Sequence, residues 1–149
     1  MARMIRALAV TVIVATLTTS VSWAQSGRVQ LALTGTLLFG QDSDGELSGI
    51  AGPALRLDID LGRRFMVSPE ALATLGWKSV SPAATMNFKF GSCYAGLGPM
   101  ILHGRWLLKA HLGAKVDHWL IEAVYVRGAK DHPYGDRAAY IGMTLGLIF

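Results

Sequence analysis

Ile141-Gly142-Met143-Thr144-Leu145-Gly146-Leu147-Ile148-Phe149 is the stretch that decides how this chain folds. Ile141, Met143, Leu145, Leu147 and Phe149 share one parity, while Tyr140, Gly142, Thr144, Gly146 and Ile148 hold the other. Successive side chains of a strand point to opposite faces, so the segment has one continuous apolar face and one small or mixed face. A water-soluble domain gains nothing by closing on an exposed apolar stripe capped by Phe. A strand whose outer face meets hydrocarbon does gain.

The same alternation recurs upstream. Eight strand-like runs fit residues 28–39, 50–61, 65–77, 84–90, 93–102, 106–116, 119–127 and 138–149, separated by connectors most of which contain Gly, Pro, Asp or Ser. In the second run Leu55, Leu57, Ile59 and Leu61 oppose Arg56, Asp58 and Asp60. The third sets Phe65, Val67, Ala71, Ala73, Leu75 and Trp77 against Ser68, Glu70 and Thr74, and the fourth sets Met86, Phe88 and Phe90 against Asn87 and Lys89. In the sixth Trp106, Leu108, Ala110, Leu112 and Val116 oppose Lys109, His111 and Lys115; in the seventh Trp119, Ile121, Ala123 and Tyr125 oppose Glu122. The fifth has no clear parity, although Cys93, Ala95, Leu97, Pro99 and Ile101 look like its apolar face. With strands running up and down, Phe39, Trp77, Trp106 and Tyr125 gather at one end and Phe65, Phe90, Trp119 and Phe149 at the other. Two aromatic girdles around an aliphatic band are what a barrel in lipid presents at its two interfaces. The expected fold is all-β: an eight-stranded antiparallel up-and-down transmembrane barrel. Pro53, Pro69 and Pro99 fall inside strands, where a missing N–H is costly, and are expected near rims or at bulges.

The front of the chain points to the same compartment. Arg3 and Arg6 form a basic segment, 7–17 is apolar but short for a membrane span, and Ser22-Trp23-Ala24 supplies small residues before a cut at Ala24/Gln25. Residues 1–24 read as a cleavable signal peptide and 25–149 as one barrel domain. Two of the 14 basic residues lie in the signal, so the remainder barely exceeds the 10 acidic ones and gives no argument for nucleic acid. The lone Cys93 can form no internal disulfide and reads as a small barrel residue.

Parity places Arg56, Asp58, Asp60, Glu70, Lys89, Lys109, His111, Lys115 and Glu122 inside, where opposite charges are expected to pair as an ionic plug. A narrow solute or ion path lined by the same residues is the alternative. A lipid-modifying enzyme is a second alternative, but no Ser matches His111 and Glu122, so no catalytic residue is assigned. His103, His118 and His132 lie in connectors, too scattered for metal ligation, and neither metal nor cofactor is expected. The acidic loop 41–46 lacks the spacing of a calcium site and reads as solvated, as does the mixed-charge loop 129–137. Through Lys130 and Arg137 the second loop could touch lipopolysaccharide phosphates.

These features, with Glu122 followed three residues later by Tyr125, resemble the small bacterial outer-membrane barrels of the OmpA and OmpX type. The resemblance covers nearly the whole processed chain, and it is architectural. It implies an outer-membrane location, contact with outer-membrane lipid and lipopolysaccharide, escort by periplasmic chaperones and insertion by the barrel assembly machinery. Ile141, Met143, Leu145, Leu147 and Phe149 would be the signal that the machinery reads. The resemblance transfers no activity, since the fold hosts structural, adhesive and enzymatic members; the expected function is non-enzymatic, in envelope structure or surface interaction.

Overall fold

The computed structural model describes residues 29–41, 45–75, 79–128 and 138–149. The signal segment, Trp77 and the loop 129–137, with Lys130, His132 and Arg137, lie outside them. Eight strands form one closed antiparallel barrel in sequence order. They are β1 (Val29–Gln41), β2 (Leu47–Asp60), β3 (Phe65–Thr74), β4 (Ser79–Phe90), β5 (Cys93–Leu102), β6 (Arg105–Val116), β7 (Trp119–Gly128) and β8 (Ala139–Ile148). β8 closes on β1 from Gln41↔Ala139 to Ala32↔Ile148, and the Phe149 amide donates to Leu31 O at 2.8 Å. Closure leaves no free edge.

The alternation fixes which side chains face in. Leu33, Met86, Leu97, Leu112, Ile121 and Leu145 are exposed on the outer wall, while Arg56, Lys109 and Glu122 are buried in the lumen. The fifth strand follows the same rule, with Tyr94, Met100 and Leu102 inward and Cys93, Ala95, Leu97 and Pro99 outward. Among charged strand residues, Arg127 alone is exposed on the outer parity, near the upper end that also carries Trp106 and Tyr125; Arg105 is exposed at the upper rim on the inward parity of Leu107 and Lys109.

The turns at the end holding Val29 and Ile148, called the lower end here, are tight. Asp117 takes a φ of 53° and Gly91 one of 67°. At the upper end His103 and Gly104 take φ values of 52° and 79°, so two residues suffice to join β5 to β6, as a type I′ hairpin turn requires.

Two expectations are corrected. The stretch 78–83, expected as a connector, contributes its last five residues to β4: Ser79 and Ser81 continue the inward parity while Val80 and Pro82 continue the outward one. Its Ser and Pro content imitates a turn. The strand prolines sit neither at rims nor at bulges. The β2–β3 ladder breaks between Arg56↔Glu70 and Ile59↔Val67, skipping Pro69, and the β4–β5 ladder breaks between Ala83↔Met100 and Met86↔Leu97, skipping Pro99. Pro53 lies just beyond the upper limit of the β2–β3 ladder, which ends at Ala54↔Leu72. Register is the same on both sides of each gap, so the missing N–H groups interrupt pairing without inserting a residue.

Candidate functional site

The lumen has two tiers. Its lower half holds three carboxylates, Asp58, Glu70 and Glu122, and three cations, Arg56, Lys109 and Lys115, in direct contact. Arg56 of β2 is the hub. Its Nε donates to Asp58 Oδ1 at 2.6 Å, and its Nη1 crosses the barrel to Glu122 Oε1 on β7. Glu122 Oε1 also accepts from the Tyr94 hydroxyl at 2.7 Å, and the Tyr94 ring lies beneath the Arg56 guanidinium at 5.3 Å. Lys115 Nζ closes on Asp58 Oδ2 at 2.7 Å, and Lys109 Nζ donates to Glu70 Oε2 at 2.6 Å. Each buried charge therefore meets an opposite one, as low dielectric demands.

Neutral groups finish the network. Ser68 Oγ donates to Asp58 Oδ1, and Asn87 Nδ2 donates to Ser68 Oγ at 2.8 Å. Asn87 Oδ1 accepts from His111 Nε2 at 2.6 Å, which assigns the ring proton to Nε2 in the neutral imidazole. Two inward glycines make this packing possible. A Cβ on Gly96 would stand 1.8 Å from Asn87 Oδ1, and one on Gly113 would stand 2.5 Å from the Tyr94 ring. Asp60 and Lys89 pair at 2.7 Å at the lower mouth and are partly exposed.

The upper half is largely apolar, with Thr74 and Ser81 also buried there. Leu38, Ile50, Leu72, Met100, Leu102, Leu107, Val126 and Tyr140 form one buried cluster. These residues were not anticipated in the lumen. Parity gives the inward face, but only the register of neighbouring strands shows that the inward Leu and Met residues gather at one height. Tyr94, Ser68 and Asn87 were also missed as network members, although their inward parity was available. Ala32, Leu120 and Ile148 form a small apolar floor below. Phe39, Phe65, Phe90, Trp106, Trp119, Tyr125 and Phe149 are all exposed on the outer wall, joined by Phe88. Glu122 and Tyr125 face opposite sides and do not form a site together.

At the upper rim Ser79 Oγ lies 3.5 Å from His103 Nδ1, a proximity the sequence did not suggest. Thr74 donates its hydroxyl to Ser79 O at 3.0 Å, leaving its Oγ1 to accept from the Ser79 hydroxyl at 2.7 Å. Partial burial, with Arg105 beside it, holds the His103 imidazole below its ordinary pKa, so the ring is neutral near pH 7. The serine proton is directed to Thr74 at a shorter distance than to the imidazole, which is not the arrangement of an activated nucleophile. Among the described residues no group of His, Cys, Asp or Glu gathers at metal-binding spacing.

No known protein family matches the sequence, and no curated relative matches it. Solved structures do. The attachment invasion locus protein Ail of Yersinia pestis aligns with a TM-score of 0.51 at 13% identity, covering 81% of this chain and 97% of that one. Neisserial surface protein A aligns with a TM-score of 0.49 at 9% identity, covering 80% of this chain and 95% of that one. The chain thus has the fold of a small eight-stranded outer-membrane barrel.

Proposed function

We propose that this chain is an integral barrel of the bacterial outer membrane, exported by way of residues 1–24, that serves the envelope through structure or surface contact and not through catalysis. One observation carries the reading: the barrel is inside out for a water-soluble protein. Exposed Leu, Ile, Met and Phe form its outer wall while Arg56, Lys109, Asp58 and Glu122 are buried within. Bilayer hydrocarbon is the solvent that makes such a surface favourable. The assembly machinery would read β8 through Ile141, Met143, Leu145, Leu147 and Phe149, after chaperone escort. Lipopolysaccharide would surround the upper rim. Ail is an attachment invasion protein by name, and contact at a surface is the role that a closed, packed barrel leaves available.

The apolar tier argues against the channel alternative. A conducting path needs continuous polar lining, and Leu38, Leu72, Met100 and Leu107 interrupt it. Planar bilayers containing the protein should remain electrically silent. The directed hydroxyl of Ser79 argues against the enzyme alternative, and lipid A from overexpressing cells should be unchanged.

Membrane residence is tested by gel mobility with and without boiling. The processed protein should sediment with the outer membrane and migrate differently once boiled. Leu145→Arg, at mid-height on the outer wall, should cost roughly 2–4 kcal/mol of folding stability in bilayers. Recovery as a soluble periplasmic monomer would overturn the reading.

A further inference from the structure

Beneath the β3–β4 hairpin the wall changes character in a way that the lumen does not explain. The turn from β2 to β3 carries Arg63 and Arg64, both exposed. Neither has an ion-pair partner among the described residues, although every other cation of the lower half is paired. Gly62, with a φ of 127°, turns the chain so that both arginines precede β3 directly, and the Arg64 carbonyl accepts from the Lys89 amide at 2.7 Å. Immediately above them Phe65 and Phe88 are paired across the strands, with ring centroids 5.6 Å apart at 72°, and Phe88 stacks on Phe90 at 6.4 Å.

Further up the same outer face the side chains shrink. After Val67↔Met86 come Pro69↔Ala84 and Ala71↔Pro82. Leu55 and Leu57 of β2 stand on one side of this floor; on the other, Leu97 of β5 pairs with Met86 at its foot and Pro99 follows above. The outer wall thus holds a shallow trough, bounded by leucines on the β2 side and closed below by an aromatic collar, with two guanidiniums beneath it that are unpaired among the described residues. Guanidiniums hold phosphate oxygens through paired N–H donors, and the trough offers an apolar chain a recess.

We infer that Arg63 and Arg64, with the Phe65–Phe88–Phe90 collar and the Pro69, Ala71, Pro82 and Ala84 trough, form a seat for one anionic phospholipid, its phosphate on the arginines and an acyl chain along the trough. The inference rests on the membrane reading above. It fixes which leaflet supplies the lipid: the one around the end where Val29 and Ile148 lie. The single negative charge of the phosphate offsets part of the charge of the two arginines, and the acyl chain covers wall that is not filled by bulky side chains.

Native mass spectrometry of the full processed protein, released from zwitterionic micelles with equal phosphatidylglycerol and phosphatidylcholine of identical chains, tests this. The wild type should retain phosphatidylglycerol preferentially. Arg63→Gln and Arg64→Gln should each lower that preference roughly five-fold, and Ala84→Trp should lower retention with both arginines intact. Arg105→Gln, at the opposite rim, should change nothing. Arg63→Lys with Arg64→Lys keeps the charge and should retain only part of the preference, a control if the glutamine variants fold poorly. Equal retention of the two lipids by wild type, or an equal loss with Arg105→Gln, would overturn the seat. A wild-type protein without heat-modifiable mobility before any lipid is added would overturn the membrane reading, and the seat with it.

Discussion

The β3–β4 hairpin and the three-stranded β6–β8 wall are both antiparallel stretches of one barrel, yet they are held by different means. β6, β7 and β8 pair without a break, from Leu107↔Gly128 to Val116↔Trp119 and from Trp119↔Leu147 to Arg127↔Ala139. The hairpin is unbroken within itself, but its ladders to both neighbours are interrupted, beside Pro69 on one flank and Pro99 on the other. What it lacks in backbone pairing it recovers inside. Glu70 reaches Lys109 on β6, Asn87 reaches His111 on β6, and Ser68 reaches Asp58 and Arg56 on β2. Side chains crossing the lumen replace backbone bonds that proline cannot donate.

Breaking an inner tie should therefore loosen the hairpin more than the opposite wall. Lys109→Ala leaves Glu70 buried without its cation and should cost about 3–5 kcal/mol. Hydrogen exchange should rise first in residues 65–90, with 119–148 protected for longer; a uniform rise would contradict the contrast. Leu38→Ala, in the apolar tier, should cost about 2–5 kcal/mol and supplies the comparison case. Its loss of packing is shared by the whole upper cluster, so urea unfolding should shift without exchange singling out the hairpin. Gly96→Ala should cost about 1–3 kcal/mol, because the added methyl displaces Asn87 and His111 together. Pro99→Ala should produce the smallest effect. It offers one backbone donor to the β4–β5 gap, worth about 1 kcal/mol, and frees the unfolded chain by a similar amount. Global stability should barely move, while exchange at the flanking amides of β4 should slow.

The sequence made the wall legible and the lumen only half so. Parity alone sorts Arg56, Glu70, Lys109 and Glu122 from Leu55, Ala71, Leu108 and Ile121, because a strand has only two faces. Height is a different matter. Leu38 and Thr34 share one parity on β1, yet Leu38 sits in the apolar tier and Thr34 two rungs lower, reaching towards the Ala54 carbonyl. Only the offset between neighbouring strands decides which inward residues meet, and offset comes from turn lengths and ladder gaps. Proline gave no warning of its mid-strand place either, since tolerance of Pro69 depends on partners that lie on β2 and β6.

Closure by β8 has a consequence in time. The pairing partner of Ala32 is Ile148, so the first strand is synthesised long before the one that will cover its outer edge. Throughout that interval β1 offers unpaired backbone groups to any passing strand, including those of sister chains. The closing pairs draw together the two ends of the barrel sequence, and they gain energy only after that entropy has been lost. On the membrane reading proposed above, such a polypeptide would gain more from a holding partner than from speed.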